Sequence, residues 1–231
     1  MNSALADGGP VSTGSIEIQA RMASRLAGVL FIVATAATMA SQIIMAPLLD
    51  GSRSEIASQG NLVALATLLE LANALASAGI AIALYPVLRR FAETTAVGYV
   101  GLRVIEGALG ATAAAFLAMS STADNTELVL GLHDTVFLLV LIVFSVGTLL
   151  LYPVLFAQRL VPSVLSLWGL VGGLLLLLSC TLILFDQIEI GGTTDMFLSL
   201  PIWINEMALA LWLLTRGLDV SGIAQETGRA S

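Results

Sequence analysis

Six runs of about 20 or more mostly apolar residues follow one another along this chain, and each is long enough to cross a hydrocarbon core of about 30 Å as a helix. They cover residues 23–45, 61–88, 96–120, 128–156, 163–185 and 196–216, and the first is predicted to end at Pro47. No run alternates with the two-residue period that a barrel wall requires, so the pattern predicts helices. Apolar residues make up 58% of the 231 and charged residues 11%, too few charges to coat a soluble domain of this size. The expectation is an all-α polytopic membrane bundle: one transmembrane domain at 23–216, with polar tails at 1–22 and 217–231.

The connections are short and carry turn-forming residues: Asp50-Gly51-Ser52, Arg89-Arg90, Asp124-Asn125, Val161-Pro162-Ser163 and Gly191-Gly192. The first 19 residues hold no basic residue and do not resemble the start of a secretory leader, so no cleavage is expected. Cys180 is the single cysteine, which excludes an intramolecular disulfide and the paired spacings of zinc sites; it is expected to be a small packing residue. No metal or other cofactor is predicted. The net charge is −7 and lysine is absent, which argues against nucleic acid as a partner.

Arginine sets the expected orientation. An even number of spans leaves both termini on one side, and that side carries Arg21, Arg25, Arg89, Arg90, Arg159, Arg216 and Arg229, against Arg53 alone on the other. The positive-inside rule then places both termini in the cytoplasm, in a cell membrane. The opposite side carries Asp50, Glu55, Asp124, Glu127, Asp186, Glu189 and Asp195. That face would concentrate cations and repel anions, or is simply a set of solvated loop tips.

The second span ends in Leu84-Tyr85-Pro86-Val87-Leu88 and the fourth in Leu151-Tyr152-Pro153-Val154-Leu155. Both spans run in the same direction, so the echo would be a parallel repeat of spans 2–3 and 4–5. Convergence on a good helix ending is the other origin, since tyrosine suits the membrane interface and proline ends or disrupts a helix. Five identical residues at equivalent places favour duplication.

Several stretches together resemble a bacterial multi-pass membrane family, the domain of unknown function 4386. They are Ala83-Leu84-Tyr85-Pro86-Val87-Leu88-Arg89, then Gly98-Tyr99-Val100-Gly101-Leu102-Arg103 with Glu106, and Leu132-His133-Asp134. Leu165-Ser166-Leu167-Trp168-Gly169 and Asn205-Glu206-Met207 with Trp212 complete the set. The resemblance extends from Arg25 to Gly217. It implies a multi-pass helical membrane protein and no particular reaction.

Chemistry is sought where ionisable groups enter the bilayer, because each costs several kcal/mol unless paired or hydrated. Six do so: Glu70, Arg103, Glu106, His133, Asp134 and Glu206, with Asn73 and Asn205 beside them. At a rise of about 1.5 Å per residue, Glu70 lies about 14 Å below the outer surface, and Glu106 and Glu206 each about 15 Å deep. Three glutamates from three spans therefore fall near the midplane, with His133 and Asp134 shallower and Arg103 one turn to the cytoplasmic side. Glu70, Asn73 and Ser77 share one side of their helix, as do Arg103, Glu106 and Gly110. Thr35, Thr38 and Gln42 form a polar stripe on the first span. Gly107, Ala111 and Ala115 form a small-residue ridge expected to pack on another helix. Pro201 is expected to kink the last span above Asn205-Glu206.

Four carboxylates against one arginine leave an excess of three negative charges, which cannot stay dry and fully ionised. Protons, water, a cation or a charged His133 must balance them. The expected arrangement is one polar cavity holding Glu70, Glu106, Asp134 and Glu206, closed towards the cytoplasm by an Arg103–Glu106 pair. Three functions are compatible. The favoured one is proton- or cation-linked binding or transport of a small polar solute. A non-catalytic sensor or partner subunit is the second. A membrane-embedded hydrolase or metal enzyme is the third, and it has a single histidine and no H-E-x-x-H or G-x-S-x-G motif to draw on.

Overall fold

The computed structural model describes residues 13–49 and 53–221. Residues 1–12, the segment Asp50-Gly51-Ser52 and the residues from 222 onward, including Arg229, lie outside the described residues. The described chain forms α1 (Thr13–Leu49), α2 (Arg53–Ser58), α3 (Gly60–Leu88), α4 (Glu93–Met119), α5 (Thr126–Ala157), α6 (Ser163–Leu184) and α7 (Thr193–Thr215). There is no strand among the described residues. All but α2 are long and apolar enough to cross a membrane. In hydrocarbon every backbone polar group must be satisfied within its own segment, and a helix does that.

The six spans close a ring in chain order. α1 packs on α3, α3 on α4, α4 on α5, α5 on α6, α6 on α7, and α7 returns to α1. Short connections make consecutive helices antiparallel neighbours, which accounts for the order. Only 28% to 50% of each span's apolar window is buried within the bundle. The rest, including Leu68, Ile82 and Leu211, is apolar and faces outward. In a bilayer that surface is solvated by lipid; in water it would be an aggregation surface. The chain is a multi-pass membrane protein.

Pro47 does not end α1 as the sequence suggests, and the other helical prolines likewise lie within continuous helices. α1 runs through Pro47 to Leu49, α3 through Pro86 to Leu88, α5 through Pro153 to Ala157, and α7 through Pro201 to Thr215. Proline removes one hydrogen bond and crowds the preceding turn, but its fixed φ is helical, so near a helix end it need not stop the helix. α1 also starts ten residues before the expected span. With 37 residues it measures about 55 Å, well beyond the hydrocarbon core. The short α2 places Ile56 in a small cluster with Met45, Val63, Ala66 and Leu117.

Three glycines allow helices to approach to backbone distance, and Gly28 of α1, where a Cβ would lie 2.9 Å from the Ala210 carbonyl of α7, is the first. A Cβ on Gly107 of α4 would lie 2.8 Å from the Ala74 carbonyl of α3, and one on Gly172 of α6 would lie 3.0 Å from the Ile202 backbone of α7. The expected ridge on α4 holds only at its first member. Gly107 meets α3, but Ala111 is half-buried and Ala115 is exposed. Steps of four overshoot the helical repeat, so Ala115 stands about 80° round from Gly107. The buried small residues are instead Gly110, Ala113 and Ala114.

The start of the polar C-terminal tail is docked. Leu218 and Val220 are buried, the Leu218 amide donates to Ser24 Oγ at 3.0 Å, and the Asp219 amide donates to the Leu160 carbonyl at 2.9 Å.

Candidate functional site

The ring encloses a cavity of about 40 Å³ to which all six spans contribute. α1 supplies Thr35 and Thr38, α3 Asn73 and Ser77, α4 Arg103 and Glu106, and α7 Glu206. Apolar walls come from Phe137 and Phe144 on α5, Leu176 on α6 and Trp203 on α7. A water needs roughly 10–15 Å³ of such volume, so the space suits two or three waters.

Arg103 organises one end. Its Nη1 lies 3.1 and 3.3 Å from the two Glu106 oxygens and donates to Ser77 Oγ at 3.3 Å, while Nε donates to the Tyr99 hydroxyl at 3.1 Å. Ser77 in turn donates to Glu106 Oε1 at 2.5 Å. The guanidinium carbon stands 4.8 Å from the Phe144 ring centre and 5.4 Å from that of Tyr99, within cation–π range. Glu106 is three residues on from Arg103, a spacing that puts both on one helix face. Arg103 and Glu106 are buried and closely coordinated.

Glu206 differs from Glu106. Its Oε1 lies 3.9 Å from Arg103 Nη2, beyond hydrogen-bond reach, and it makes no hydrogen bond among the described residues. Its side chain faces the cavity and retains 12% exposure. It is the carboxylate here that can take up or release an ion without breaking a hydrogen bond.

A second cluster lies further along α3. Both Glu70 oxygens are 3.2 Å from His133 Nε2, Ser41 of α1 donates to Glu70 at 3.2 Å, and His133 Nδ1 is 2.9 Å from Asp134 Oδ1. Both imidazole nitrogens thus face carboxylates. Ionised carboxylates only accept, so either the ring carries two protons or one carboxyl holds a proton. That arrangement calls for one proton more than a neutral imidazole and two ionised carboxylates carry. Phe137 joins the two places: it stacks on His133 at 6.0 Å and lines the central cavity.

The eight residues singled out in the sequence thus separate into three groups. Asn73, Arg103, Glu106 and Glu206 line the cavity; Glu70, His133 and Asp134 form the second cluster; Asn205 does neither. The expected single cavity with Glu70 and Asp134 is not formed. Glu70 and Ser77 share a stripe, but seven residues separate them by about 10 Å along α3, so they serve different levels. Asp134 is not an interior charge either. It follows His133 by one residue, which turns it about 100° away, and its side chain is 53% exposed. Of the polar stripe on α1, Thr35 and Thr38 are buried and Gln42 is exposed.

Asn205 is a strut. It accepts from the Tyr152 hydroxyl of α5 and donates to the Leu165 carbonyl of α6 at 2.9 Å, tying three helices together. Tyr152 was legible only as an interfacial tyrosine. Its counterpart Tyr85 remains half-buried beneath Arg89, whose guanidinium carbon is 5.7 Å from the ring centre. Tyr99, Phe144 and Ser41 were not identified from sequence. For Tyr99 the signal was present, four residues before Arg103 on the same face. Phe144 and Ser41 lie on other helices, and no local pattern marks them.

The family model described as domain of unknown function DUF4386 matches residues 26–217, which include both polar clusters and all of the ring but the first part of α1. This chain belongs to the DUF4386 family. No curated protein and no solved structure matches this DUF4386 chain. Among the described residues, the DUF4386 bundle holds no group of three histidine, cysteine or acidic side chains placed to bind a metal ion. Cys180 is a free, buried packing residue.

Proposed function

We propose that this protein binds and moves a proton or small cation in the bilayer interior, coupled to a small polar solute, with Glu206 as the exchangeable carboxylate. The supporting observation is that one arginine faces two carboxylates of unequal engagement around a cavity with room for water. Glu106 neutralises Arg103 through hydrogen bonds. Glu206 then brings a further negative charge, and a proton or cation beside it relieves the cost of burial. The Glu70–His133–Asp134 trio serves as a second proton station, with Asp134 at the surface. On the orientation favoured by arginine, that station opens to the outside of a cell membrane, and both termini are cytoplasmic.

Proteoliposomes with an internal pH dye test the proposal. An imposed gradient should drive proton entry with the wild type and not with Glu206→Gln. Equal rates in the two would remove Glu206 from the pathway.

The second reading is a non-catalytic membrane component in which the polar network only fixes the fold. Its support is completeness: Ser166 Oγ is the single fully buried side-chain polar atom without a partner among the described residues. Wild-type vesicles no more permeable than protein-free ones, under any ion gradient, would favour this second reading.

A further inference from the structure

A separate cavity of about 570 Å³ opens at the end of the bundle where α1 begins, α5 passes to α6, and α7 ends. Three arginines line it, Arg21, Arg159 and Arg216, together with the carboxylates Glu17 and Asp219 and the partly buried Trp212. The docked segment 217–221 forms its floor. All three arginines are exposed, and none of their guanidinium groups has a hydrogen-bond or ion-pair partner among the described residues.

Arg159 adds an independent observation. It stands at φ 52°, the left-handed position that closes α5. The Leu160 amide returns to the Leu155 carbonyl at 3.1 Å and the Arg159 amide to Phe156 at 3.2 Å, the paired bonds of a Schellman ending. Glycine occupies that position at least cost, and α7 uses Gly217 there, at φ 78°, while α6 closes on Asp186 at φ 54°. At this position the backbone cost falls on a side chain whose guanidinium lines the cavity.

We infer that this cavity binds the headgroup of an aminophospholipid, its phosphate held by Arg21, Arg159 and Arg216 and its ammonium by Glu17 and Asp219. Guanidinium groups suit phosphate oxygens, and basic pockets at helix ends on the arginine-rich side are where lipid headgroups lie. Trp212 fits the interfacial level at which such a headgroup sits. A headgroup of both signs matches a wall of both signs, which a free anion does not. The site is distinct from the central cavity and does not depend on the proposed function.

The test is thermal unfolding of the full chain in a phosphate-free non-ionic detergent, titrated with phosphatidylethanolamine, phosphatidylglycerol, diacylglycerol or inorganic phosphate. Phosphatidylethanolamine should raise the midpoint most. Phosphatidylglycerol, which lacks the amine, should raise it less, and the other two should not raise it. Arg159→Gly should unfold at a higher temperature than the wild type without lipid, because strain is relieved, yet lose most of the lipid response. Arg216→Gln should lose the response as well. An undiminished response in both variants overturns the site. A full response to diacylglycerol reduces the effect to acyl-chain solvation, and a full response to inorganic phosphate makes it a free-anion site; either overturns the inference. Equal responses to the two phospholipids overturn the role of the carboxylates.

Discussion

The carboxylate of Glu206 on α7 lies 3.9 Å from the guanidinium of Arg103 on α4, close enough for attraction and too far for a hydrogen bond. Glu106, on the same helix as Arg103, holds the shorter contact at 3.1 Å. One cation thus serves two anions unequally, and the two glutamates should respond differently to the same substitution.

Glu106→Gln should destabilise the bundle by about 3–5 kcal/mol, the range for stripping one partner from a buried ion pair. Glu206→Gln should cost much less, because the amide keeps the shape and no hydrogen bond to Glu206 is lost. Thermal unfolding in one detergent ranks them. The reverse order would mean that Glu206 is the structural partner of Arg103.

Tyr152→Phe should cost about 1–3 kcal/mol, since it leaves Asn205 Oδ1 without a donor in a fully buried place. Proton movement, where it occurs, should survive in the molecules that stay folded, because the strut does not line the central cavity. Loss of flux at wild-type stability would place Tyr152 in the pathway instead.

Gly169→Ala should be harmful for a different reason. A Cβ there would fall within the Tyr152 ring, and overpacking of this kind costs about 1–3 kcal/mol. Gly101→Ala, where the added carbon meets nothing within 4 Å, is the matched control and should be neutral or mildly stabilising. Equal effects at the two positions would contradict the α5–α6 packing.

The bundle was legible in the sequence because membrane spans are coded by length and apolarity, and 26–217 holds little else. The candidate site was legible as an inventory of costly residues and not as a geometry. Helical phase correctly put Glu106 beside Arg103. It could not say that Glu70 turns to His133 while Asn73, one turn on, faces the cavity, because that depends on which helices stand opposite. Counting Asp134 as interior failed for the same reason: depth along a helix is readable from a sequence, but direction around it needs the neighbours. The docking of 217–221 was missed because backbone hydrogen bonds to Ser24 and Leu160 leave no side-chain pattern.

Topology is open to a direct check. A reporter fused at Thr193 should lie outside the cell and one at the C-terminus inside, as the arginine asymmetry requires. The opposite result would reverse the sidedness of both polar clusters.

Phe137 stacks on His133 and lines the central cavity, so it stands between the two polar clusters. Phe137→Ala should enlarge the cavity towards His133 and raise proton flux in vesicles. Unchanged flux would mean that the two clusters do not communicate along that face.

Infrared difference spectroscopy across a pH titration of the purified protein tests the exchangeable carboxylate most directly. A protonated-carboxyl band should change with pH in the wild type, be absent in Glu206→Gln, and persist in Asp134→Asn. A band that ignores pH, or one that remains unchanged in Glu206→Gln, would contradict the assignment of Glu206 as the group that exchanges its proton.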